Sequence, residues 1–223
     1  MTAATRPDHV PSRDWYQRDA HDVGADLLGA HVTTRRPDGE VTVRLTEVEV
    51  YRGQADPASH AYRGPTARNA AMFGEPGRLY VYRHLGLHHC VNVVTGPEGV
   101  ASAVLLRAGE VVAGIDVAGG RRRRAGVLRS DVDLARGPAR LAVALGLDLT
   151  ALRADLTDPA GDVVVQRHPA VPALPHVTGP RVGVSGEGAD AGRYPWRLWL
   201  PDEPTVSVYR PAAPRRRPAA RKA

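Results

Sequence analysis

The sequence Thr46-Glu47-Val48-Glu49-Val50-Tyr51 alternates between two kinds of side chain. Successive side chains of a β-strand point to opposite faces, so Glu47, Glu49 and Tyr51 share one face and the other three residues share the opposite face. The alternation therefore predicts a strand with an acidic face beside an aromatic ring. Either this face lies in water, as in an ordinary half-buried strand, or it lines a cleft. In a cleft, burial or the neighbouring carboxylate favours general-base catalysis.

Further strands and helices are predicted on both sides of this stretch. Turn residues bound a series of extended runs, and apolar residues at helical spacing indicate helices. The predicted strands cover 31–35, 40–51, 78–82, 87–94, 101–107, 163–167, 196–200 and 206–209, and the predicted helices cover 19–28 and most of 111–149. Strands and helices do not alternate regularly and no repeat is present. This order favours an α+β fold, a single domain with a mostly antiparallel β-sheet flanked by helices and a protruding β-hairpin with its tip at 83–86.

Length and composition are those of one globular domain. The chain has 223 residues, of which 43% are hydrophobic and 24% are charged. We expect the domain to cover 13–210, between a disordered N-terminus at 1–12 and a disordered basic tail at 211–223. The apolar stretches are too short to span a bilayer, and the first residues lack the apolar run of a secretory signal. A cytoplasmic protein without a membrane segment is therefore expected.

The formal net charge of +6 suggests a polyanionic partner. Five of the basic residues lie in the tail 211–223, and without them the net charge of the chain is about +1. Any nucleic-acid surface on the body must then be a local patch, while the tail is either a solvated extension or a loose contact to phosphates. The single cysteine, Cys90, excludes an internal disulfide and a zinc site built from thiolates.

Two segments carry residues suited to binding. The polar, proline-containing run 56–69 is long enough to be a binding loop, and it contains His60. At the tip of the second hairpin, Leu85 lies among basic residues, where an apolar side chain can act as a wedge between base steps of DNA. The run 88–90 does not predict a metal site, because adjacent strand residues point to opposite faces. The arginine run 121–124 is either a solvated helix face or a further phosphate contact.

Several short motifs occur in one order along residues 14–210. They are 47–51 followed by His60, 68–69 with 72–73, 76–82, 86–92, 104–108, 137–141 and 181–184. In this order they resemble the motifs of the alkyladenine (3-methyladenine) DNA glycosylase family, and the chain is similar to its bacterial members. The resemblance implies an enzyme of base excision repair that acts on double-stranded DNA containing damaged purines. We expect a monomer that needs no metal or cofactor. We expect it in the cytoplasm, associated with the nucleoid.

The resemblance also implies a catalytic pair. Glu49 matches the general base that deprotonates the water attacking C1′ of the damaged nucleoside, and it can also stabilise the positive charge that develops on the sugar. Arg107 matches an arginine near the same water, where its charge holds Glu49 ionised. The alternative for Arg107 is a purely structural ion pair.

A base-binding pocket follows from the same resemblance, because an enzyme that acts on a base in a duplex must first rotate it out. Tyr51 and His60 match the residues that sandwich the flipped base, and Tyr82 matches the one that closes the pocket edge-on. Electron-rich rings favour a cationic alkylated base over a neutral one. Asn92 matches an asparagine that excludes guanine by crowding its 2-amino group.

The DNA contacts are less closely matched. The best-known relatives carry tyrosine at the intercalating position, where this chain has Leu85, so we expect a wedge that holds the lesion less firmly. Thr66 and Arg68 are expected to contact the DNA backbone beside the lesion because of their position in the loop.

Lysine content bears on the reaction type. Glycosylases that also nick the strand use an amine to form a Schiff base, and Lys222 in the tail is the only lysine. The sequence therefore predicts a monofunctional glycosylase that leaves an abasic site, with 3-methyladenine as the expected base and 7-methylguanine, hypoxanthine and ethenoadenine as further candidates. Two alternatives remain: a non-catalytic damaged-DNA-binding domain of the same fold, and a glycosidase that acts on free nucleosides or sugars.

Overall fold

The computed structural model describes residues 9–167 and 173–212. The helices are α1 (Arg13–Tyr16), α2 (Ala20–Leu27), α3 (Ile115–Ala125) and α4 (Pro138–Leu145). The strands are β1 (His31–Arg36), β2 (Gly39–Tyr51), β3 (Leu79–His84), β4 (His88–Val94), β5 (Ala103–Ala113), β6 (Ala135–Arg136), β7 (Val163–Gln166), β8 (Val177–Gly179) and β9 (Arg197–Trp199). Short 3-10 turns connect several of them. No helix among the described residues is long and apolar enough to cross a membrane.

All nine strands join one open antiparallel sheet. Its main order is β3-β4-β5-β2-β1-β7, with β6 added beside β5 and β8 paired to β9. The predicted α+β fold with a mostly antiparallel sheet and flanking helices is confirmed. The 13-residue strand β2 organises the sheet, because β5 lies along one side of it while β1 and β9 share the other side.

The two faces of β2 differ as the alternation predicts, but both are buried. Val48 and Val50 belong to the main hydrophobic core, which α2 covers so closely that a Cβ at Gly24 would lie 3.1 Å from the Val50 side chain. On the opposite face, Glu47 and Glu49 are both 0% exposed. The acidic face therefore lies in the protein interior and not in water.

Helix α4 begins and ends where its terminal residues predict. Pro138 occupies the first turn, and Gly146 follows the last residue with φ of +64°, a conformation that glycine adopts without strain. The remainder of the predicted helical stretch 111–149 is only partly helical. Residues 111–113 continue β5, because Val111 pairs with Val43 of β2, and 126–137 form irregular chain with a 3-10 turn and the short β6.

Two further predictions are corrected. The predicted strand 206–209 is irregular chain, because the Ser207 N–H donates to the Glu47 carboxylate rather than to a neighbouring strand. The arginine run in α3 is not a uniformly solvated face, since Arg121 and Arg122 are buried. Arg121 pairs with Asp38 and also donates to the Ala144 carbonyl at the end of α4.

Strands β3 and β4 form the predicted hairpin. The turn between them contains Leu85 with φ of +49° and Gly86 with φ of +72°, and the Leu87 N–H closes it on the His84 carbonyl at 3.0 Å. A left-handed conformation is uncommon for leucine. It presents Leu85 to solvent with 81% of its surface exposed.

The predicted disordered termini fall largely on residues 1–8 and 213–223, outside the described residues. Of the N-terminal segment that the structure describes, His9 exchanges two backbone hydrogen bonds with Arg167, at 3.0 and 3.1 Å.

Candidate active site

A cavity of about 340 Å³ opens where β2, β3, β4 and β5 meet the loops around His60 and Val182. It is lined by both predicted catalytic residues and all four predicted base-binding residues, namely Glu49, Arg107, Tyr51, His60, Tyr82 and Asn92. These residues are spread over nearly 60 residues of sequence, and they come from four strands and one loop. The structure brings them together, while Leu85, Thr66 and Arg68 lie outside the cavity lining.

Glu49 is held by three donors. The Tyr51 hydroxyl donates to its Oε2 at 2.8 Å, the Val182 N–H donates to its Oε1 at 2.7 Å, and Arg107 Nη1 lies 3.2 Å from the same Oε1. Burial, together with the Glu49 charge, raises the pKa of Tyr51 well above its usual value, so its hydroxyl stays protonated as a donor. Such bonds to an ionised acceptor favour a carboxylate with one fixed orientation.

Arg107 contacts both acidic side chains of β2. Its Nε donates to Glu47 Oε1 at 2.8 Å while Nη1 faces Glu49. Burial alone lowers the pKa of Arg107, but the Glu49 and Glu47 carboxylates outweigh it and raise the pKa above its usual value. Arg107 is therefore a permanent cation inside the protein, next to the predicted general base.

Glu47 is the centre of a network for which the sequence predicts no role. Its carboxylate also accepts from Arg197 Nε at 2.6 Å, from the Ser207 N–H at 2.7 Å and from the Ser207 hydroxyl at 2.9 Å. The only signal in the sequence is the shared face of Glu47 and Glu49, because Arg197 and Ser207 reach the site from 150 and 160 residues away.

Aromatic side chains form a connected wall. The ring centroids of His60 and Tyr82 are 4.5 Å apart in an edge-to-face arrangement, and Tyr80 stacks on Tyr82 at 5.6 Å. Burial, with smaller effects from the neighbouring Arg68 and His84, lowers the pKa of His60. This shift favours the neutral form of the imidazole.

Tyr51 has a cation behind its ring. The Arg181 guanidinium lies 4.6 Å from the ring centroid, and it pairs with Asp56 through two bonds of 2.6 and 2.7 Å. Two further bonds, to the Val50 and Gly188 carbonyls at 3.0 Å each, connect the guanidinium to two segments of the main chain. Arg181 lies in the motif 181–184, but the sequence predicts no role for it.

Polar side chains shape the cavity rim. Asn92 donates to the Tyr80 carbonyl at 3.0 Å, which fixes its amide between β3 and β4. Asn69 donates to the His60 carbonyl at 2.9 Å and accepts from the Thr66 N–H at 2.6 Å, so it holds the loop that carries His60. Thr66 and Arg68 are exposed on this loop, and Thr66 lines an adjoining cavity of about 860 Å³.

The hairpin tip presents two exposed apolar side chains. Leu85 and Leu87 are 81% and 76% exposed, although leucine is usually buried. They project from a hairpin whose inner end carries Tyr82 and Asn92 of the cavity. The paired strands β3 and β4 connect this apolar tip to the aromatic cavity, and such a tip can wedge between base steps of a nucleic acid.

Comparisons of the sequence with known proteins identify a family. A family model described as methylpurine-DNA glycosylase matches residues 14–204. A relative in Streptomyces avermitilis is 50% identical over 213 residues, covering 95% of this chain and 97% of its own. Relatives in Leifsonia xyli subsp. xyli and Nocardia farcinica are 50% and 53% identical, covering 90% and 84% of this chain and 92% and 87% of their own. All three are named "Putative 3-methyladenine DNA glycosylase".

Proposed function

The chain belongs to the methylpurine-DNA glycosylase family, and from that premise we propose that it is a monofunctional glycosylase that removes alkylated purines from duplex DNA. Family membership and the names of the relatives support a DNA glycosylase with a role in repair. The catalytic residues, the lesions and the absence of strand cleavage are our proposals. The observation that carries them is the buried Glu49 carboxylate in a cavity walled by aromatic rings.

In the proposed reaction, Glu49 accepts a proton from a water molecule as the water oxygen bonds to C1′ of the extruded nucleotide. The N-glycosidic bond breaks and its electron pair leaves with the purine. An alkylated purine carries a positive charge before the bond breaks and departs as a neutral base, so it needs little acid assistance. Tyr51 and the Val182 N–H orient the carboxylate, and Arg107 places a positive charge beside it.

The cavity walls support selection of cationic bases. Tyr51, His60 and Tyr82 supply ring faces and edges, and a cation over a ring face is worth roughly 0.5 to 2 kcal/mol, depending on desolvation. The lowered pKa of His60 matters here, because a protonated imidazole would repel a cationic base. We assign the exclusion of normal guanine to Asn92, whose amide is held by the Tyr80 carbonyl.

We assign DNA engagement to the hairpin and the His60 loop. Leu85 is proposed to fill the space that the extruded nucleotide leaves, since it is the most exposed of the large apolar side chains described. Thr66 and Arg68, exposed on the loop beside the cavity, are proposed to contact backbone phosphates.

The absence of strand cleavage is proposed from the lysine content. A lyase reaction through a Schiff base requires an amine near C1′, and Lys222 is the only lysine of the chain. All the groups within hydrogen-bonding distance of Glu49 are a phenol, a guanidinium and a backbone N–H, in the part of the chain that the structure describes. These groups support activation of water rather than attack by an amine.

Glu49→Gln tests the proposal, because it keeps the shape of the side chain and removes the base. We expect excision of 7-methylguanine from a duplex to fall at least about 100-fold, while binding to the same duplex stays within a few-fold of native. The matched control is Glu110→Gln, an exposed carboxylate on β5 paired with Arg44, which should excise normally. Normal excision by Glu49→Gln would remove the assigned base, and native protein that binds lesions without excising them would favour a damage-binding domain.

A further inference from the structure

The strand that carries Glu49 buries a second carboxylate that the proposed reaction does not use. Glu47 is 0% exposed, and burying an ionised carboxylate is costly unless it is paired and hydrogen-bonded. Its partners come from β5, from β9 and from the chain segment that follows β9, namely Arg107, Arg197 and Ser207. Glu47 lies on the same strand face as the proposed base and shares Arg107 with it, so a change at Glu47 can reach the reaction.

The bonds of Glu47 determine which part of Arg107 reaches Glu49. Glu47 Oε1 holds the Arg107 Nε at 2.8 Å, and the Ser207 hydroxyl accepts from Arg107 Nη2 at 3.3 Å. Nη1 is then the nitrogen directed to Glu49, at 3.2 Å. Without these bonds, the planar guanidinium is free to turn and pair with Glu49 through two nitrogens, the geometry that arginine prefers with carboxylates.

Glu47 also affects the balance of charge around Glu49. The groups that face Glu49 are Tyr51 from its own strand, Arg107 from β5, Arg197 opposite it on β9, Arg181 and the Val182 N–H, and Tyr82 and Cys90 from the hairpin. Asp56 neutralises Arg181 through two short bonds. Among the described residues, Glu47 is the carboxylate that contacts both Arg107 and Arg197, so its one negative charge offsets part of the charge of these two cations.

We propose that Glu47 is a positioning residue for the glycosylase reaction, which directs one nitrogen of Arg107 to Glu49 and offsets the arginine charge so that Glu49 stays basic enough to deprotonate water. The inference rests on the proposed function, in which Glu49 is the general base. It also explains why two glutamates share one face of β2 when one base is sufficient for the chemistry.

Glu47→Gln tests the inference, because glutamine keeps the shape of the side chain and removes its charge. In single-turnover excision at saturating protein, we expect the rate at pH 7 to fall about 10-fold, with lesion binding within about 3-fold of native. The acid-side midpoint of the pH–rate profile should move to lower pH by about half a unit or more, because a nearby negative charge has been lost. Glu110→Gln, which removes an exposed carboxylate of β5, should leave the midpoint unchanged.

Arg197→Gln gives a shift of opposite sign. This variant removes the cation that pairs with Glu47 at 2.6 Å, so the acid-side midpoint should move to higher pH. If Glu47→Gln does not fold, the sign of the Arg197→Gln shift decides the question. A merely structural Glu47 predicts slower excision with the native midpoint in both variants, and that result would overturn the inference. The proposed function fails separately, if native protein releases no base or if Glu49→Gln excises normally.

Discussion

Arg181→Met should be among the most destabilising single substitutions near the active site. Arg181 is 1% exposed and donates four hydrogen bonds, two of them to Asp56, which is 0% exposed. Methionine fills much of the space but leaves the Asp56 charge buried. Among the described residues, its remaining donors are the Ala58 and Arg52 N–H groups at 3.0 and 3.3 Å. Removing one partner of a buried pair costs about 3 to 5 kcal/mol in the free energy of unfolding.

Urea unfolding followed by circular dichroism measures this cost. The double variant Arg181→Met with Asp56→Asn removes both charges, so it should regain at least about 1 kcal/mol relative to the single variant. Arg193→Met is the matched control, because Arg193 forms an exposed pair with Glu187 at 2.8 Å and its loss should leave the unfolding midpoint unchanged. An Arg181→Met midpoint equal to native, or a double variant less stable than the single one, would refute this reasoning.

Three further predictions concern the reaction. Leu85→Ala should lower excision from duplex DNA about 10-fold and from single strands much less, because only a duplex has a stack to fill; equal losses would remove the wedge role. In the Glu49→Gln background, lowering the pH should weaken binding to duplexes containing cationic 7-methylguanine more than binding to duplexes containing neutral hypoxanthine. The reason is that His60, whose pKa is lowered, gains its proton only in acid. The His60→Phe variant has no imidazole to protonate, so the affinities for the two lesions should then depend equally on pH. A difference that persists in this variant would show that another group causes it. Borohydride should trap no covalent adduct between native protein and lesion DNA, and a trapped adduct would contradict the monofunctional reaction.

Local patterns predict the parts of the fold that depend on local physics. The alternation in β2, the proline and glycine that bound α4, and the turn residues of the two hairpins all lie within a few residues of the structure they determine. The same reasoning fails at 206–209, where Ser207 bonds to Glu47 across 160 residues of sequence. The residues next to Ser207 in the sequence do not indicate such a distant partner.

The candidate site shows the same difference between residues with a signal in the local sequence and residues that depend on distant partners. The resemblance identifies six residues that the structure gathers in one cavity, including Glu49 and Arg107. The residues behind them were not predicted. Arg181 and Asp56 are 125 residues apart, and Arg197 and Glu47 are 150 residues apart, so neither buried pair has a local signature. The arginines in a basic chain look alike in sequence, and only tertiary packing separates the buried ones from those in solvent.

The most direct test of the account is the product that native protein releases from a duplex containing one 7-methylguanine. We predict free 7-methylguanine, identified by mass spectrometry, together with a strand that stays intact until it is treated with alkali. The Glu49→Gln variant should release none under the same conditions. Strand cleavage without alkali, or equal release by native protein and the variant, would contradict the proposed hydrolysis by a water that Glu49 activates.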